Sequence, residues 1–274
     1  MTARRAAVLG SPISHSLSPA LHRAAYGALG LDWTYDAIEV DEVGLPAFLH
    51  SCGPEWAGLS LTMPLKSAVL PELRRRSDLV EIVGAANTVV FEREGLAGHN
   101  TDVPGMQRAL REAGVDGWSP RTGTILGGGA TARSALAALS ALGVADAHVV
   151  LRTPTRADEL AVVATRLGIA LHAHGWDEAA HHLEADVVIA TVPAGASEAF
   201  VRHVPPRPGV LLDVAYGSGL GEGLVAAWRA AGGRAADGLD LLLWQAVDQV
   251  RLMTGDEAPV AAMRAALDSA VGPR

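Results

Sequence analysis

Lysine is almost missing from this 274-residue chain. Of its 22 lysines and arginines only Lys66 is a lysine. An arginine-biased composition explains the surface as a whole, and it makes the one exception informative. Arginine keeps its proton near neutral pH, whereas a lysine can be tuned to release it. Cysteine is as scarce: Cys52 stands alone, so no internal disulfide forms, which fits a reducing compartment. Positive charge is in deficit, and a net charge of −8 argues against a general nucleic-acid or anionic-membrane surface. Long apolar runs are missing too, because Gly, Pro and Arg interrupt every candidate membrane span. Met1–Arg5 followed by Ala6-Ala7-Val8-Leu9 briefly resembles a signal peptide, but Gly10-Ser11-Pro12 ends the run too early. A soluble cytoplasmic protein is the expectation. His172, His174, His181 and His182 lack a Cys or carboxylate at ligand spacing, so they read as surface histidines and no metal is expected.

What is present is globular, 49% hydrophobic and 19% charged. Strands alternate with helices, which implies sheets covered by helices. Ala6–Leu9 reads as a buried strand. Ser18 and Pro19 then read as an N-cap and a first-turn proline, opening a helix that Gly30 ends. Ser16 carries no such capping duty, and two hydroxyls beside a helix N-terminus suit an anion such as a carboxylate. Trp33–Val40 alternates like a strand, Leu45–Ser51 is a short helix, and Gly58–Leu61 is a further strand. Pro64–Leu73 reads as a helix carrying Lys66 in its first turn, where the macrodipole disfavours a cation and would lower its pKa. Asn87 lies in the apolar stretch Ile82–Val90, either as a turn residue or as a buried amide aimed at a ligand. Gly98–Gly105 leads into a helix at Met106–Ala113, with Asp102 as a plausible N-cap. Gly114–Arg121 is Gly/Pro-rich and marks a boundary.

From Thr122 the character changes. Thr122–Leu126 is a buried strand running into Gly127-Gly128-Gly129-Ala130-Thr131-Ala132 and a helix at Ser134–Leu142. Gly127, Gly129 and Ala132 fit G-x-G-x-x-A in the strand–turn–helix setting that a dinucleotide pyrophosphate requires. The next strand, Ala147–Leu151, is followed by Arg152, Thr153 and Arg156, with no acid before Asp158. Arginines there pair with a phosphate, which favours NADP over NAD. Further βα units follow, and the loop at Thr191 and Val192 closes one strand where open α/β sheets take ligands. Tyr216, one of three tyrosines, follows strand Val210–Ala215. Gln245 lies among apolar neighbours in helix Asp240–Thr254, as an exposed residue or a ligand contact.

Together these segments resemble the shikimate dehydrogenase family over nearly the whole chain. The family's G-x-P-I-x-H-S-x-S-P segment is matched by Gly10–Pro19, N-V-T-x-P-x-K by Ser60–Lys66, G-A-x-N-T-V by Gly84–Val89, and N-T-D-x-x-G by Asn100–Gly105. The glycine-rich turn is met by Gly127–Ala132, N-R-T by Leu151–Thr153, D-x-x-Y by Asp213–Tyr216, and D-G-x-x-x-L-x-x-Q by Asp237–Gln245. Three positions depart: Ser60 and Leu151 stand where the family has asparagine, and Gly217–Gly223 replaces a proline-containing loop. The resemblance implies an α/β fold with an N-terminal α/β substrate domain (residues 1–103 and 238–274) and a Rossmann-type doubly wound NADP domain (residues 104–237). The C-terminal helices are expected to pack back on the first domain.

By the same resemblance Lys66 and Asp102 are the catalytic pair. Ser16 and Ser18 hold the substrate carboxylate, and Ser60, Thr62, Asn87, Tyr216 and Gln245 contact the substrate. Gly127, Gly128, Gly129, Ala130, Thr131, Ala132, Arg152, Thr153, Arg156, Thr191, Val192 and Gly238 line the cofactor. The implied activity is reversible NADPH-dependent reduction of 3-dehydroshikimate to shikimate. Alternatives are a quinate or aminoshikimate dehydrogenase of the same family, or a nucleotide-binding paralogue without catalysis. A carboxylate beside Lys66 opposes the dipole, so a protonated donor and a neutral base both stay open. Monomer and homodimer are both compatible with the family.

Overall fold

The computed structural model describes residues 3–154, 157–193, 195–216 and 223–272. It divides into two compact units, residues 1–101 with 245–274, and residues 102–244. The Gly/Pro-rich stretch 114–121 therefore lies inside the second unit rather than at a boundary.

In chain order the first unit holds β1 (Arg4–Gly10), α1 (Ser18–Ala28), β2 (Trp33–Glu39), α2 (Leu45–Ser51), β3 (Trp56–Leu61), α3 (Leu65–Ala68), β4 (Arg75–Arg76), α4 (Asp78–Val83), β5 (Thr88–Glu92) and β6 (Gly95–His99). Its sheet runs β2-β1-β3-β5-β6-β4. β1 is parallel to β2 and β3, while β5 is antiparallel to both β3 and β6. Ala7, Leu9, Leu59, Leu61 and Val89 pack on Leu45, Leu49, Leu65 and Val80 of the helices on one face. The helix expected over Pro64–Leu73 is only the four-residue α3, followed by a 3₁₀ turn at Leu70–Glu72. Pro71 lacks the N–H that an α-helix would need there. Lys66 is the second residue of this one-turn helix.

The second unit continues with α5 (Asp102–Leu110), β7 (Thr122–Leu126), α6 (Ala130–Ala141), β8 (Asp146–Leu151), α7 (Asp158–Leu167), β9 (Ala170–Gly175), α8 (Ala179–His182), β10 (Val187–Ala190), β11 (Val210–Asp213), α9 (Gly223–Ala230) and β12 (Arg234–Ala236). All its strand pairs are parallel, in the order β12-β11-β10-β7-β8-β9. Followed from the first strand outward, this is the doubly wound order that reverses direction between β7 and β10. Strands buried on both faces need continuous apolar runs, and Val187–Ala190 and Val210–Leu212 supply them.

The unit boundary at 244/245 falls within α10 (Gly238–Thr254), and α11 (Val260–Val271) packs against α1 in the first unit. α10 begins two residues before the expected Asp240. Asp237 Oδ1 accepts the N–H groups of Leu239 (2.9 Å) and Asp240 (3.3 Å), and Asp240 Oδ2 accepts the Asp237 N–H at 3.1 Å. This reciprocal pair caps the helix start.

On the other face of the first sheet lies a buried polar network centred on Gln249, one turn beyond Gln245 in α10. Tyr35 donates to Ser60 Oγ (2.6 Å), and Ser60 donates to Gln249 Oε1 (2.8 Å). Gln249 Nε2 donates to Asn87 O (3.2 Å) and Thr88 Oγ1 (3.1 Å), which fixes its Oε1 as the acceptor. The facing His22 Nε2, 3.2 Å from Oε1, therefore carries the proton, and Nδ1 accepts from Tyr26 at 3.3 Å. His22 stacks on Tyr35 with centroids 4.0 Å apart. Among the described residues no buried side-chain N or O atom lacks a partner.

Breaking the network should be costly. Gln249→Leu strands the Ser60 and His22 donors and the Asn87 and Thr88 acceptors. It should lower unfolding stability by about 2–4 kcal/mol, read in urea as a lower midpoint at unchanged slope. The network should also respond to acid. Burial pushes the His22 pKa from its ordinary 6.5 down to about 3. Between those values the unfolded chain holds a proton that the folded chain does not. The His22 contribution is thus full above pH 6.5 and is lost as pH falls toward 3. His22→Gln should flatten the stability–pH slope in this window by about 1.4 kcal/mol per pH unit, measured by urea unfolding at stepped pH.

Candidate active site

Strand direction gathers the first unit's polar residues. β1, β3 and β6 share a direction, so their carboxyl ends lie at one end of the sheet, and antiparallel β5 starts there. Residues 11–18 follow β1, Thr62 and Lys66 follow β3, Asn87 precedes β5, and Asn100 and Thr101 follow β6. The pairs Leu9↔Leu61, Ser60↔Thr88 and Thr88↔His99 bring these ends into register. Ligands of open α/β sheets bind at such ends.

Each side chain has a local cause. A Cβ on Gly10 would run into Thr62 Cγ2 and Met63 O, so glycine lets the turn after β3 approach β1 closely. Thr62 N–H donates to Leu9 O at 2.9 Å. Thr62 and Lys66 are half-buried, and the Lys66 carbonyl accepts the Ala86 N–H at 2.8 Å, tying α3 to the segment that carries Asn87. Ser18 is the first residue of α1 rather than its cap. Ser16 performs the capping contact instead, its Oγ accepting the Ser18 N–H at 3.3 Å. Ser18 is 5% exposed.

Asn87 is the buried amide of the two sequence readings, 1% exposed. Its Oδ1 accepts the Thr101 N–H (2.8 Å) and the Thr88 hydroxyl (2.9 Å), while Nδ2 donates to Thr101 Oγ1 (2.9 Å) and Gln245 Oε1 (3.5 Å). Gln245 is correspondingly buried. Ser60 differs from the rest in that its hydroxyl both accepts from Tyr35 and donates to Gln249. Gln249, Tyr35, Thr101 and His22 gain no role from the sequence. The i, i+4 spacing of Gln245 and Gln249 on one face of α10 is the available signal.

In the second unit the same rule applies. Gly127–Gly129 follow β7, Arg152 and Thr153 follow β8, Thr191 and Val192 follow β10, Tyr216 follows β11, and Gly238 follows β12. Gly127 has φ +110°, and a Cβ there would lie 2.7 Å from Thr191 Oγ1. Thr191 is fixed by its own hydroxyl and N–H, both donating to Leu126 O at 2.9 and 2.8 Å. These two residues meet where the strand order reverses. Ala130, Thr131 and Ala132 open the 12-residue α6, whose N-cap Gly129 offers no side-chain bond and faces open space where a Cβ would stand. An uncapped helix start beside open space suits a pyrophosphate, so the residues present fit a dinucleotide.

Arg152 is exposed at the end of β8, its guanidinium 5.5 Å from the Trp176 ring centroid. Gly238 is buried, and a Cβ on it would meet Val214 O and Ala215 O at 2.5 Å, so its first duty is to let α10 start against that backbone. Tyr216 is half-buried. Asp213, three residues earlier, has its pKa raised by burial. Asp102 is 4% exposed and begins α5 four residues before the expected Met106. Arg156, expected at the cofactor, lies outside the described residues, as does most of the glycine-rich loop after Tyr216.

Comparison with known proteins places these features in a family. The model of the shikimate dehydrogenase substrate binding domain matches residues 8–89, and that of the shikimate 5'-dehydrogenase C-terminal domain matches residues 238–267. The shikimate dehydrogenase (NADP(+)) of Moorella thermoacetica is 37% identical across 97% of this chain and 93% of its own. The crystal structure of Mycobacterium tuberculosis shikimate dehydrogenase superposes with a TM-score of 0.87 at 40% identity, covering 97% of this chain and 99% of that one. The Thermus thermophilus shikimate 5-dehydrogenase, solved in complex with NADP(H) and shikimate, gives 0.84 at 32% identity over 97% and 99%. With relatives this similar along nearly its full length, the chain belongs to the shikimate dehydrogenase family.

Proposed function

We propose that the chain catalyses the reversible NADPH-dependent reduction of 3-dehydroshikimate to shikimate. What carries the reading is the retention of the family's reactive positions at one sheet end, Lys66 after β3 and the Asn100-Thr101-Asp102 segment after β6, in a chain alike to NADP-dependent relatives from end to end. NADPH, when bound, supplies the hydride. Gly127–Ala132, Thr191, Val192 and Gly238 are the residues to hold it, with Arg152, Thr153 and Arg156 toward the 2'-phosphate.

The chain's own residues manage charge and position. Ser16 and Ser18 hold the substrate carboxylate at the start of α1. Thr62, Asn87, Tyr216 and Gln245 orient the ring and its hydroxyls. As the ketone becomes an alkoxide, Lys66 delivers a proton to its oxygen, or takes one from the hydroxyl in the reverse direction. Asp102 orients the ammonium. Residues 1–103 with 238–274 form the substrate domain in this reading, and residues 104–237 the dinucleotide domain. Ser60, held by Tyr35 and Gln249, replaces a longer amide and bears on the choice between shikimate and quinate.

Lys66→Ala should cut turnover about 10²–10⁴-fold with little change in KM, measured by NADPH oxidation with 3-dehydroshikimate; near-normal turnover would remove the catalytic assignment. Steady-state rates over shikimate and quinate with NADP and NAD should show the highest kcat/KM for shikimate with NADP. Arg152→Ala should raise KM for NADP about tenfold or more and leave NAD unchanged. A preference for quinate with NAD would overturn the substrate and cofactor assignment. NADPH binding without shikimate-dependent reduction would favour the non-catalytic paralogue.

A further inference from the structure

We propose that His148, His174 and His182 form a binding site for a borderline divalent transition-metal ion, of which zinc is the test case, on the second unit's sheet. The sequence alone argues against a metal because His172, His174, His181 and His182 lack a partner at ligand spacing. The missing ligand comes from a different strand. In the parallel β8–β9 ladder His148 pairs with His172 and Val150 with His174. His148, His172 and His174 thus share one face, and α8 brings His182 onto it.

One ligand nitrogen from each of His148, His174 and His182 lies within 4.8 Å of the others. His148 Nδ1 and His174 Nε2 are 3.0 Å apart. Two imidazole nitrogens bound at about 2.1 Å to a tetrahedral ion stand roughly 3.4 Å apart, so a small opening of this pair accepts one. The His182 ring stacks on His174 with centroids 3.7 Å apart and lies 4.7 Å from that of His148. Its ring nitrogens form no hydrogen bond among the described residues.

The surroundings are those of a metal-binding imidazole set. Glu178 Oε2 lies 3.7 Å from His174 Nδ1, the nitrogen turned away from His148. A carboxylate behind a histidine in this way orients the ring and raises its basicity as a ligand. Glu178 is itself positioned by the Gly175 N–H at 3.1 Å. The His182 backbone is anchored by Thr124 Oγ1 at 2.6 Å. His172, the fourth ring, is engaged by Asp146 at 3.1 Å and stays outside the trio. All three histidines are half-buried rather than sealed in the core. Three imidazoles with oxygen select zinc, nickel or copper over calcium or magnesium. An ion there joins β8, the edge strand β9 and α8.

The test is calorimetric titration of chelator-treated full-length protein with Zn²⁺ near neutral pH. One saturable equivalent per chain is expected. Glu178→Gln should weaken it about 10–100-fold, His148→Gln and His182→Gln by more, and His181→Gln not at all. No saturable equivalent, or equal binding by wild type and the His148 and His182 variants, overturns the site. If those variants fail to fold, diethyl pyrocarbonate labelling of the wild-type chain decides. Zn²⁺ should protect His148, His174 and His182 among the ten histidines, and protection only elsewhere overturns the proposal.

Discussion

One buried carboxamide holds the first unit's candidate site in place. Gln249 is 1% exposed, and it satisfies polar groups from α1, β3 and the start of β5 at once. Ser60 and Thr88 are paired neighbours in the sheet, and without an amide from α10 their hydroxyls would face an apolar layer. Burying such groups is costly unless each is bonded. The same bonds therefore stabilise the unit and fix the backbone of Asn87. Asn87 in turn fixes Thr101, the residue before Asp102. Positioning of Thr101 thus begins several bonds away from it, in a helix that arrives from the far end of the chain.

Which parts are legible in the sequence follows from this. The glycine-rich turn after β7 is, because its requirement is local: a strand, positive φ at Gly127 and a helix start. The strands Thr122–Leu126 and Trp33–Glu39 are, because alternation and apolar runs report burial directly. The helix around Lys66 is shorter than the pattern suggests, since the apolar spacing of residues 65–73 masks the break at Pro71. Ser16 rather than Ser18 takes the capping duty, because either hydroxyl satisfies the pattern and only backbone geometry separates them. The short strands β4 and β12 carry no periodicity and exist through their neighbours.

The network residues fail to stand out for a different reason. His22, Tyr35 and Gln249 are far apart in sequence, and each alone reads as an ordinary residue on a helix or strand. Their meaning appears only with the register of β1, β2 and β3 and the placement of α10 over β3. Gly58 shows how close that placement is, since a Cβ there would lie 2.6 Å from Met253 Cγ. A sequence pattern detects a motif whose members share one turn. It does not detect one whose members share a sheet face.

The histidine trio follows the same logic. His172, His174, His181 and His182 look unremarkable when ligand spacing is sought along one segment. Parallel pairing makes a different spacing relevant: residues on neighbouring strands at equal height are about 4.8 Å apart, closer than i and i+2 on one strand. His148 stands at the height of His172, one same-face step from His174, and their ring nitrogens come within 3.0 Å across 26 residues of sequence. The physics that gathers Lys66, Asn87 and Thr101 at one sheet end also sets two imidazoles on one sheet face, to which α8 adds the third. In both cases the chemistry belongs to the register, and the residues acquire it only when the strands pair.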